Sequence, residues 1–409
     1  MRILHIDKYL HRKGGATGYM LDLAELQRHR GDVVEFFAMD DPERNPEATY
    51  QDQFPSYVEF EPAPSGLRSR AAGFGRMVWS TSARRGMARV LDDFQPDVVH
   101  LHTIYHQISP SILAPMRRQR VPVVMTVHDH KLVCPSYSRL DHGSPCDACL
   151  NGSLLEAVKR RCKDDSFAAS AALMVETGLH RMLGAYDPVS VFICPSHFVA
   201  DSMAQAGVFT DRVRHLRHFF DASTLPAREG SGEGIVAAGR LSMEKGFDLL
   251  IDAMAQLPDA KLRIVGDGPE DDALRAQAAR VAPDRVHFTG RLPKEGVLAE
   301  LRTARVAVIP SRWYENQPLA VIEAMGSGVA PVVTNLGGSP EMVDHGVDGW
   351  IASPQVASLA DALRAPLANA DLAAVAGRAA RARIERDFDP ERHLAGVDDA
   401  YAAAIAATR

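Results

Sequence analysis

Two glutamates, Glu315 and Glu323, flank a stretch whose pattern changes from strand-like to helix-like, and carboxylates in such a place can accept hydrogen bonds from sugar hydroxyls. Between them, Pro318 suits the first turn of a helix. The unpaired backbone N–H groups near Leu319 and Ala320 would then form an anion site. A phosphate there, with carboxylates beside it, matches the chemistry of a nucleotide sugar. The spacing alone is equally compatible with two solvated glutamates.

Two cations, Arg240 and Lys245, lie on another predicted strand-to-helix loop, bounded by Gly239 and Gly246. Two cations on one loop can clamp a diphosphate and offset the charge that develops on a leaving group. Ordinary surface cations are the alternative, which the two glycines disfavour. This loop is expected to face the helix start at Pro318 across a sheet.

A parallel sheet covered by helices would bring these loops together. Residues 305–309 and 330–333 are short apolar runs, typical of buried parallel strands. Residues 318–325 predict a helix between them, with Asn316 or Gln317 as its cap. Strands and helices alternate through the rest of the second half, which predicts a doubly wound α/β sheet with ligands at the carboxyl ends of its strands.

The first half repeats this alternation and opens with a strand followed by glycines at Gly14, Gly15 and Gly18. Their spacing differs from the dinucleotide fingerprint G-x-G-x-x-G, although a glycine pair still lets the backbone approach a ligand. A tight turn alone is the alternative. A later strand ends at His102, and we consider His102 and His106 as candidates to face an acceptor, although a lone histidine is more often a hydrogen-bonded part of the interior.

The chain has 409 residues and a net charge of −6. This length predicts about two domains, each able to bury a core. The charge is too small to indicate a nucleic-acid partner. No apolar run reaches the length of a membrane span and the N-terminus has no signal-peptide pattern, so we expect a cytoplasmic protein. The predicted domains are residues 1–222, residues 223–385 and a C-terminal helix, residues 386–409, that packs back on the first domain.

Four of the five cysteines fall inside a predicted insertion at about residues 131–165. In a chain without a secretion signal disulfides are disfavoured, and four thiolates around a C-x2-C pair favour a closed zinc site of structural type. The spacings do not match a standard zinc finger. A set of reduced cysteines is the alternative, and an iron–sulfur cluster would use the same ligands. The predicted ligands are Cys134, Cys146, Cys149 and Cys162.

A basic stretch at residues 67–91 carries six arginines with apolar residues between them. Such a stretch is most often a solvated helix whose apolar members belong to the core. It is also compatible with contact to an anionic membrane or an anionic acceptor. Peripheral contact with the inner face of a membrane therefore stays open as an alternative.

The motif Glu315-x7-Glu323, followed by Ala-Met-Gly-Ser-Gly-Val-Ala-Pro-Val-Val, resembles the signature of the retaining family 4 glycosyltransferases. The resemblance extends over nearly the whole chain. It includes residues 238–246, residues 264–269, Gly337-Gly338 with Glu341, and His128-Asp129. It implies the GT-B fold, in which two Rossmann-like domains face each other across a cleft, the first binding the acceptor and the second the nucleotide sugar.

The resemblance also implies roles for individual residues. Glu315 would contact the donor sugar, and Glu323 would hold the nucleotide ribose. The diphosphate would meet Arg240 and Lys245. The residues predicted to act in catalysis are Glu315, His128, Arg240 and Lys245. Those predicted to bind the nucleotide sugar are Gly14, Gly15, Arg240, Lys245, Arg291, Leu292, Asn316, Gln317, Pro318, Leu319, Ala320 and Glu323.

The implied reaction moves a sugar, with retention of anomeric configuration, from a UDP- or GDP-sugar to a hydroxyl of a polysaccharide, a lipid-linked sugar or a natural product. Retention is expected through front-face attack, in which the leaving phosphate takes the acceptor's proton. Cations and helix N-terminal amides are expected to replace a catalytic metal. Where many members of the family have Glu-Gly-Phe-Gly, this chain has Glu315-Asn-Gln-Pro, so the donor sugar is left open.

Three other functions are compatible with parts of the pattern. A glycoside hydrolase would use the two glutamates as a pair about 5–9.5 Å apart, whereas eight residues of continuous helix span about 12 Å, and it needs no diphosphate clamp. A nucleotide-sugar epimerase can share the fold. A non-catalytic subunit can retain the sugar-nucleotide pocket without turnover.

Overall fold

The computed structural model describes residues 1–60, 66–228 and 230–408, which form two lobes, each built on a parallel sheet. The strands of the first lobe are β1 (Arg2–Ile6), β2 (Val33–Phe37), β3 (Val98–Leu101), β4 (Val123–Thr126), β5 (Leu140–Asp141), β6 (Ser144–Pro145), β7 (Val191–Cys194) and β8 (Val213–His215). The sheet has the order β2–β1–β3–β4–β7–β8, and all neighbouring strands are parallel. The remaining two strands, β5 and β6, form a separate antiparallel hairpin within the cysteine-bearing insertion.

Helices cover both faces of this sheet, which explains why β3, β4 and β7 are buried along their whole length and largely apolar. Serine side chains cap three of the helices, because the hydroxyls of Ser80, Ser166 and Ser196 each accept a hydrogen bond from a backbone N–H three residues later. The helices of the first lobe are α1 (Gly15–His29), α2 (Leu67–Val78), α3 (Thr81–Phe94), α4 (Leu113–Gln119), α5 (Leu155–Lys159), α6 (Phe167–Met182) and α7 (His197–Gln205).

The second lobe repeats the design with β9 (Ile235–Ala238), β10 (Leu262–Val265), β11 (Val286–Gly290), β12 (Val306–Ile309), β13 (Pro331–Thr334) and β14 (Trp350–Ala352). The strand order of this sheet is β11–β10–β9–β12–β13–β14, and all neighbouring strands are parallel. From β9 the chain adds strands first towards one edge of the sheet and then, starting with β12, towards the other edge. The crevice at such a reversal is where open α/β sheets bind ligands. The helices that follow are α8 (Phe247–Ala253), α9 (Asp271–Val281), α10 (Lys294–Thr303), α11 (Leu319–Gly326), α12 (Val356–Ala368), α13 (Ala370–Asp387) and α14 (Pro390–Thr408).

The predicted fold class, two doubly wound parallel sheets, is confirmed. The predicted cap of α11 is wrong. Pro318 occupies the cap position with extended backbone and no side-chain hydrogen bond. The side chains of Asn316 and Gln317 instead bind groups of the first lobe, because the loop that precedes α11 lies against that lobe.

The last helix, α14, returns from the second lobe and packs on the core of the first. Val397, Tyr401 and Ala404 are fully buried there together with residues of β3 and β4. The Tyr401 hydroxyl accepts a hydrogen bond from Gln27 Nε2 at 3.1 Å and lies 2.8 Å from His100 Nδ1. The domain boundaries at residues 222 and 385 stay a prediction.

Within the described ranges, the structure contains no helix whose length and apolar character would let it span a bilayer.

Replacing Tyr401 by Phe is expected to lower the free energy of unfolding by about 1–3 kcal/mol, because two buried polar groups, on Gln27 and His100, would lose their partner. Urea unfolding followed by circular dichroism measures the change. Tyr50→Phe is the matched control, since its hydroxyl bonds the Asp93 carboxylate at the exposed surface. Equal stability of the two variants would contradict the prediction.

Candidate active site

An ion pair joins the loops that leave β9 and β12. Lys245 Nζ lies 2.7 Å from Glu315 Oε1, and the Ser311 hydroxyl donates to the same oxygen at 2.6 Å. Glu315 is only 5% exposed. Burial alone would raise the pKa of this carboxyl, but the Lys245 ammonium and the hydrogen bond from Ser311 hold the pKa below its usual value. Glu315 is therefore charged at neutral pH.

Glycines allow the two loops to approach so closely. Gly246 (φ +69°) and Gly337 (φ +64°) both have left-handed backbone. A Cβ at Gly246 would overlap the Pro310 carbonyl oxygen, and one at Gly337 would overlap the backbone of Glu315. The Gly338 N–H also donates to the Glu315 carbonyl at 2.7 Å. The backbone of Glu315 is thus fixed by neighbouring loops.

The two predicted cations are in different situations. Lys245 is engaged by Glu315 and also lies 5.1 Å from the centre of the Trp313 ring. Arg240 follows the end of β9 and is exposed, and its side chain has no hydrogen bond or ion pair with the part of the chain that the structure describes. Arg240 is therefore free to take an anionic ligand at the carboxyl end of the sheet.

The start of α11 faces the glycine loop of the first lobe. With Pro318 at the cap, the N–H groups of Leu319 and Ala320 lie in the first turn, where an α-helix offers no carbonyl partner. A Cβ on Gly15 would lie 3.3 Å from the Leu319 side chain. Gly14, which is exposed, caps α1 beside it. The structure thus brings two predicted ligand-binding segments together across the cleft.

Glu323, one helical turn further along α11, is half-buried. Its pKa is raised to about 7, chiefly by burial; Lys294 opposes this shift and Asp22 adds to it. Lys294 Nζ and Asp22 Oδ2 form an ion pair of 3.1 Å between the lobes. Glu323 therefore changes charge near neutral pH.

Arg291 and Leu292 follow β11, at the same edge of the sheet as the ion pair. Arg291 is exposed, whereas Leu292 packs partly on the core of the second lobe. The Gly290 carbonyl just before them accepts from the Gly266 N–H at 2.9 Å, which ties this strand end to the neighbouring loop.

Asn316 and Gln317 hold the two lobes together. Asn316 Nδ2 donates to the Val127 carbonyl at 2.7 Å, and Asn316 Oδ1 accepts from the Ser196 hydroxyl at 2.8 Å. Gln317 Oε1 accepts from the His218 N–H at 2.6 Å. The amide side chains are thus occupied by the first lobe, and their predicted contact with the nucleotide sugar stays a prediction.

Glu341 makes a second connection between the lobes, which sequence reasoning missed. Its two carboxylate oxygens accept from the backbone N–H groups of His197 at 2.8 Å and Phe198 at 2.7 Å, at the start of α7. A carboxylate is favourable at a helix N-terminus. No local signal predicts this contact, because the partners lie 144 and 143 residues apart in the chain.

A chain of buried histidines ends at His128. His102 Nδ1 lies 3.0 Å from His128 Nε2, and His102 Nε2 lies 3.0 Å from His5 Nδ1. His5 Nε2 in turn lies 2.8 Å from Gln27 Oε1. His102 thus contacts His128, the residue predicted to act on the donor sugar. His106 lies apart from this chain, with its Nδ1 3.3 Å from a Glu176 oxygen.

The orientation of the Gln27 amide sets the protons of this chain. Its oxygen faces His5, so His5 Nε2 carries a proton and His5 Nδ1 accepts one from His102 Nε2. The same alternation places the proton of His128 on Nε2 and leaves His128 Nδ1 as an acceptor. Burial lowers the pKa of His128 to about 3, so the ring is neutral at physiological pH.

His100 completes the histidine cluster. Its Nδ1 lies 2.8 Å from the Tyr401 hydroxyl and its Nε2 lies 2.8 Å from the Thr126 hydroxyl. Ligand atoms of His5, His100 and His102 come within 4.8 Å of one another, as a metal site requires. All six ring nitrogens, however, have hydrogen-bond partners in the chain, which accounts for the cluster without an ion. His100 lies on β3 and His102 one residue past its end, and this spacing of two was the signal that both share a face.

Curated relatives match part or most of the chain. It is 36% identical to a glycogen synthase of Mycobacterium tuberculosis over 200 residues, which are 46% of this chain and 48% of that protein. The chain thus aligns with about half the length of this relative. It is 25% identical to a phosphatidyl-myo-inositol mannosyltransferase of Mycobacterium tuberculosis over 368 residues, covering 87% of this chain and 84% of the other.

Solved structures share the fold over nearly the whole chain. Sucrose-phosphate synthase from Thermosynechococcus elongatus superposes with a TM-score of 0.73 at 20% identity, covering 99% of both chains. The Anabaena protein HepE in complex with UDP superposes with a TM-score of 0.70 at 19% identity, covering 98% of this chain and 100% of HepE. At such identities the likeness establishes the fold alone, which is GT-B as the sequence predicted.

Two family models together cover most of the chain. Residues 227–383 match the model described as Glycosyl transferases group 1, and residues 13–224 match the model described as Glycosyltransferase Family 4. The second match alone spans more than half of the 409 residues. The chain therefore belongs to glycosyltransferase family 4, a family of sugar-transferring enzymes.

Proposed function

We propose that this protein transfers a sugar from a nucleoside diphosphate sugar to a hydroxyl acceptor, with retention of anomeric configuration. The observation that carries the proposal is the Lys245–Glu315 pair at the sheet reversal, beside the start of α11 and the free Arg240. A relative named as a mannosyltransferase and fold neighbours solved with UDP and UDP-glucose support a UDP- or GDP-sugar as donor. The second lobe would bind this donor and the first lobe the acceptor.

Donor binding follows from the charges of the site. Arg240, Lys245 and the N–H groups at the start of α11 offset the charge of the diphosphate. Lys245 would then be shared between a phosphate oxygen and Glu315, which brings the carboxylate next to the sugar hydroxyls. Ionised Glu323 would accept from the ribose hydroxyls, and His128 Nδ1 is available to accept from a hydroxyl of the donor sugar.

The transfer step then needs no separate protein base. The acceptor oxygen forms a bond to the anomeric carbon on the face from which the phosphate leaves, and the carbon–oxygen bond to the phosphate breaks. The departing phosphate oxygen takes the acceptor's proton. Arg240 and Lys245 stabilise the negative charge that develops on this phosphate. Glu315, whose Oε1 already accepts two hydrogen bonds, positions the sugar by its charge and does not attack it.

Glu315→Gln and Lys245→Ala are each expected to lower kcat by about 10²–10³-fold, because each removes charge that stabilises the transition state. Release of nucleoside diphosphate with UDP- and GDP-sugars and an acceptor panel measures this. Glu300→Gln is the control, since Glu300 pairs with Arg263 away from these loops. Near-normal rates in the first two variants would refute the assignment. Donor binding without turnover in the unchanged protein would favour a binding subunit, and an epimerised donor would favour an isomerase.

Donor affinity is expected to fall about tenfold between pH 8 and pH 6, because a Glu323 carboxyl with a pKa of about 7 must lose its proton before it accepts ribose hydrogen bonds. Affinity falls as the pH falls because Glu323 becomes protonated below pH 7, and the protonated carboxyl no longer accepts both ribose hydrogen bonds. Calorimetric titration with UDP and GDP measures it. Glu323→Gln should bind more weakly at pH 8 and lose this pH dependence. An unchanged slope in that variant would contradict the role.

The acceptor side of the proposal includes a peripheral contact with an anionic membrane. Phe167 and Met182 on α6 are 64% and 74% exposed, although both are large and apolar. The arginine-bearing helix α2 packs beside α6, where His180 Nε2 lies 2.9 Å from the Val78 carbonyl. Exposed apolar side chains beside arginines are suited to an anionic lipid surface. A cytoplasmic location stays a prediction.

Vesicles with anionic lipid are expected to carry the protein upward in a flotation gradient, and salt should weaken the association. Phe167→Ser with Met182→Ser should weaken binding by about tenfold for each side chain, since both would lose apolar burial in the membrane. Val375→Ser, which removes a side chain 55% exposed on α13 in the second lobe, is the control. Salt-independent binding, or equal loss in the control, would contradict the membrane contact.

A further inference from the structure

A small cavity lies inside the cysteine-bearing insertion, and all four cysteines of the insertion line it. Its volume is about 10 Å³, roughly the space of a single water-sized sphere. The four thiols are free of disulfides. Cys134 is buried, and Cys146, Cys149 and Cys162 are half-buried. Side chains from three separate segments of the insertion thus converge on a space fit for a single ion.

The backbone forms a turn at the C-x2-C pair, Cys146 to Cys149, and this segment is called the knuckle. The N–H groups of Leu150 and Asn151 donate to the Asp147 carbonyl at 3.0 and 3.2 Å, which forms a turn that begins directly after Cys146 and contains Cys149. The turn places Cys146 and Cys149 on the same cavity.

Two guanidinium groups line the same cavity, those of Arg139 and Arg160. Arg139 is buried and pairs with Asp147, and Arg160 Nη1 lies 2.7 Å from Asp141 Oδ2. Four thiolates around a divalent cation carry a net charge of −2, which has to be offset in a half-buried site. Because each guanidinium group is already paired with an aspartate, the two arginines offset that charge only in part.

We propose that Cys134, Cys146, Cys149 and Cys162 bind one Zn²⁺ ion in a closed tetrahedral site of structural type. Four thiolates fill all four positions of tetrahedral zinc and leave none open for a substrate. This ligand set is typical of structural zinc sites. A cavity of this size matches a single ion. On binding, each thiol loses a proton and forms a bond to the metal.

Binding also requires the thiols to turn inward. Sulfurs at about 2.3 Å from zinc lie about 3.8 Å apart. Among the described residues, the group of three whose ligand atoms all lie within 4.8 Å of one another is the histidine cluster, so no three of the four thiols are that close, and they stand further apart than a loaded site needs.

The knuckle reaches the loop that carries Glu315, which gives the metal a consequence for the site. Asp147 Oδ2 accepts from the Tyr314 hydroxyl at 3.2 Å, and the Arg139 guanidinium lies 4.5 Å from the Tyr314 ring. His130 Nε2 lies 3.0 Å from the Tyr314 carbonyl oxygen. A metal that holds the knuckle thus positions the residue before Glu315; this part of the inference rests on the proposed function.

Metal analysis of the full chain, purified without chelator, is expected to give about one zinc per chain. A mercurial reagent should release it stoichiometrically, as followed with a colorimetric zinc indicator. Thiol titration of the denatured protein should find all five cysteines reduced. Less than about a tenth of one zinc, iron in its place, or a thiol count lowered by disulfides would each overturn the zinc site.

Cys149→Ser is expected to lose most of the zinc, whereas Cys194→Ser is expected to keep it. Cys194 is buried in the core of the first lobe, outside the insertion, with its sulfur 3.7 Å from the Met203 sulfur, so it controls for the loss of a buried thiol. Zinc retained in Cys149→Ser would overturn the ligand assignment. The zinc content of the unchanged chain decides the proposal even where a cysteine variant fails to fold.

Asp147→Asn separates the metal from its effect on the catalytic loop. This variant is expected to keep its zinc and to raise the KM for the donor severalfold with a smaller change in kcat. Asp141→Asn, in the same insertion but paired with Arg160, is the control. Equal KM values would overturn the coupling to Tyr314. A chain with zinc but no transfer activity would instead contradict the proposed function and leave the metal site standing.

Discussion

The ion pair between Lys245 and Glu315 is the interaction on which the rest of the candidate site depends. A carboxylate as buried as Glu315 is costly unless it is paired and hydrogen-bonded, and the Lys245 ammonium with the Ser311 hydroxyl meets that need. The two loops can meet because β9 and β12 are parallel neighbours whose carboxyl ends lie at the same edge. This one ion pair therefore stabilises the buried charge of Glu315. It also holds together the loops that follow β9 and β12, where a ligand would bind.

Closure of the cleft uses the same loop that carries this carboxylate. Tyr314, Asn316 and Gln317, on either side of Glu315, all bond to groups of the first lobe. Any opening of the lobes must therefore break bonds next to Glu315, and any closing rebuilds them. Domain closure that completes a catalytic arrangement is a common property of enzymes that must exclude water. Here one short loop carries both the catalytic candidate Glu315 and the hydrogen bonds between the lobes, so the two cannot move independently.

The histidine chain shows how the interior of one lobe can determine the chemistry at its surface. His128 is a neutral acceptor because a series of buried groups, beginning with Tyr401 on the last helix, sets which nitrogen holds each proton. Each member has a fixed partner, and burial disfavours charge on every ring. These hydrogen bonds thus connect the final helix to the cleft.

Local pattern determined the strands, the helix after Pro318, the glycine-bounded loop with Arg240 and Lys245, and hence the doubly wound sheets, because periodicity and turn residues act over a few positions. The sequence also placed Glu315 and Lys245 in one site through a motif resemblance. Only the tertiary structure decided that Asn316 and Gln317 bridge the lobes and do not cap a helix, and that Glu341 caps α7. Those contacts join residues more than 90 positions apart, and their partners exist only once two lobes have packed against each other.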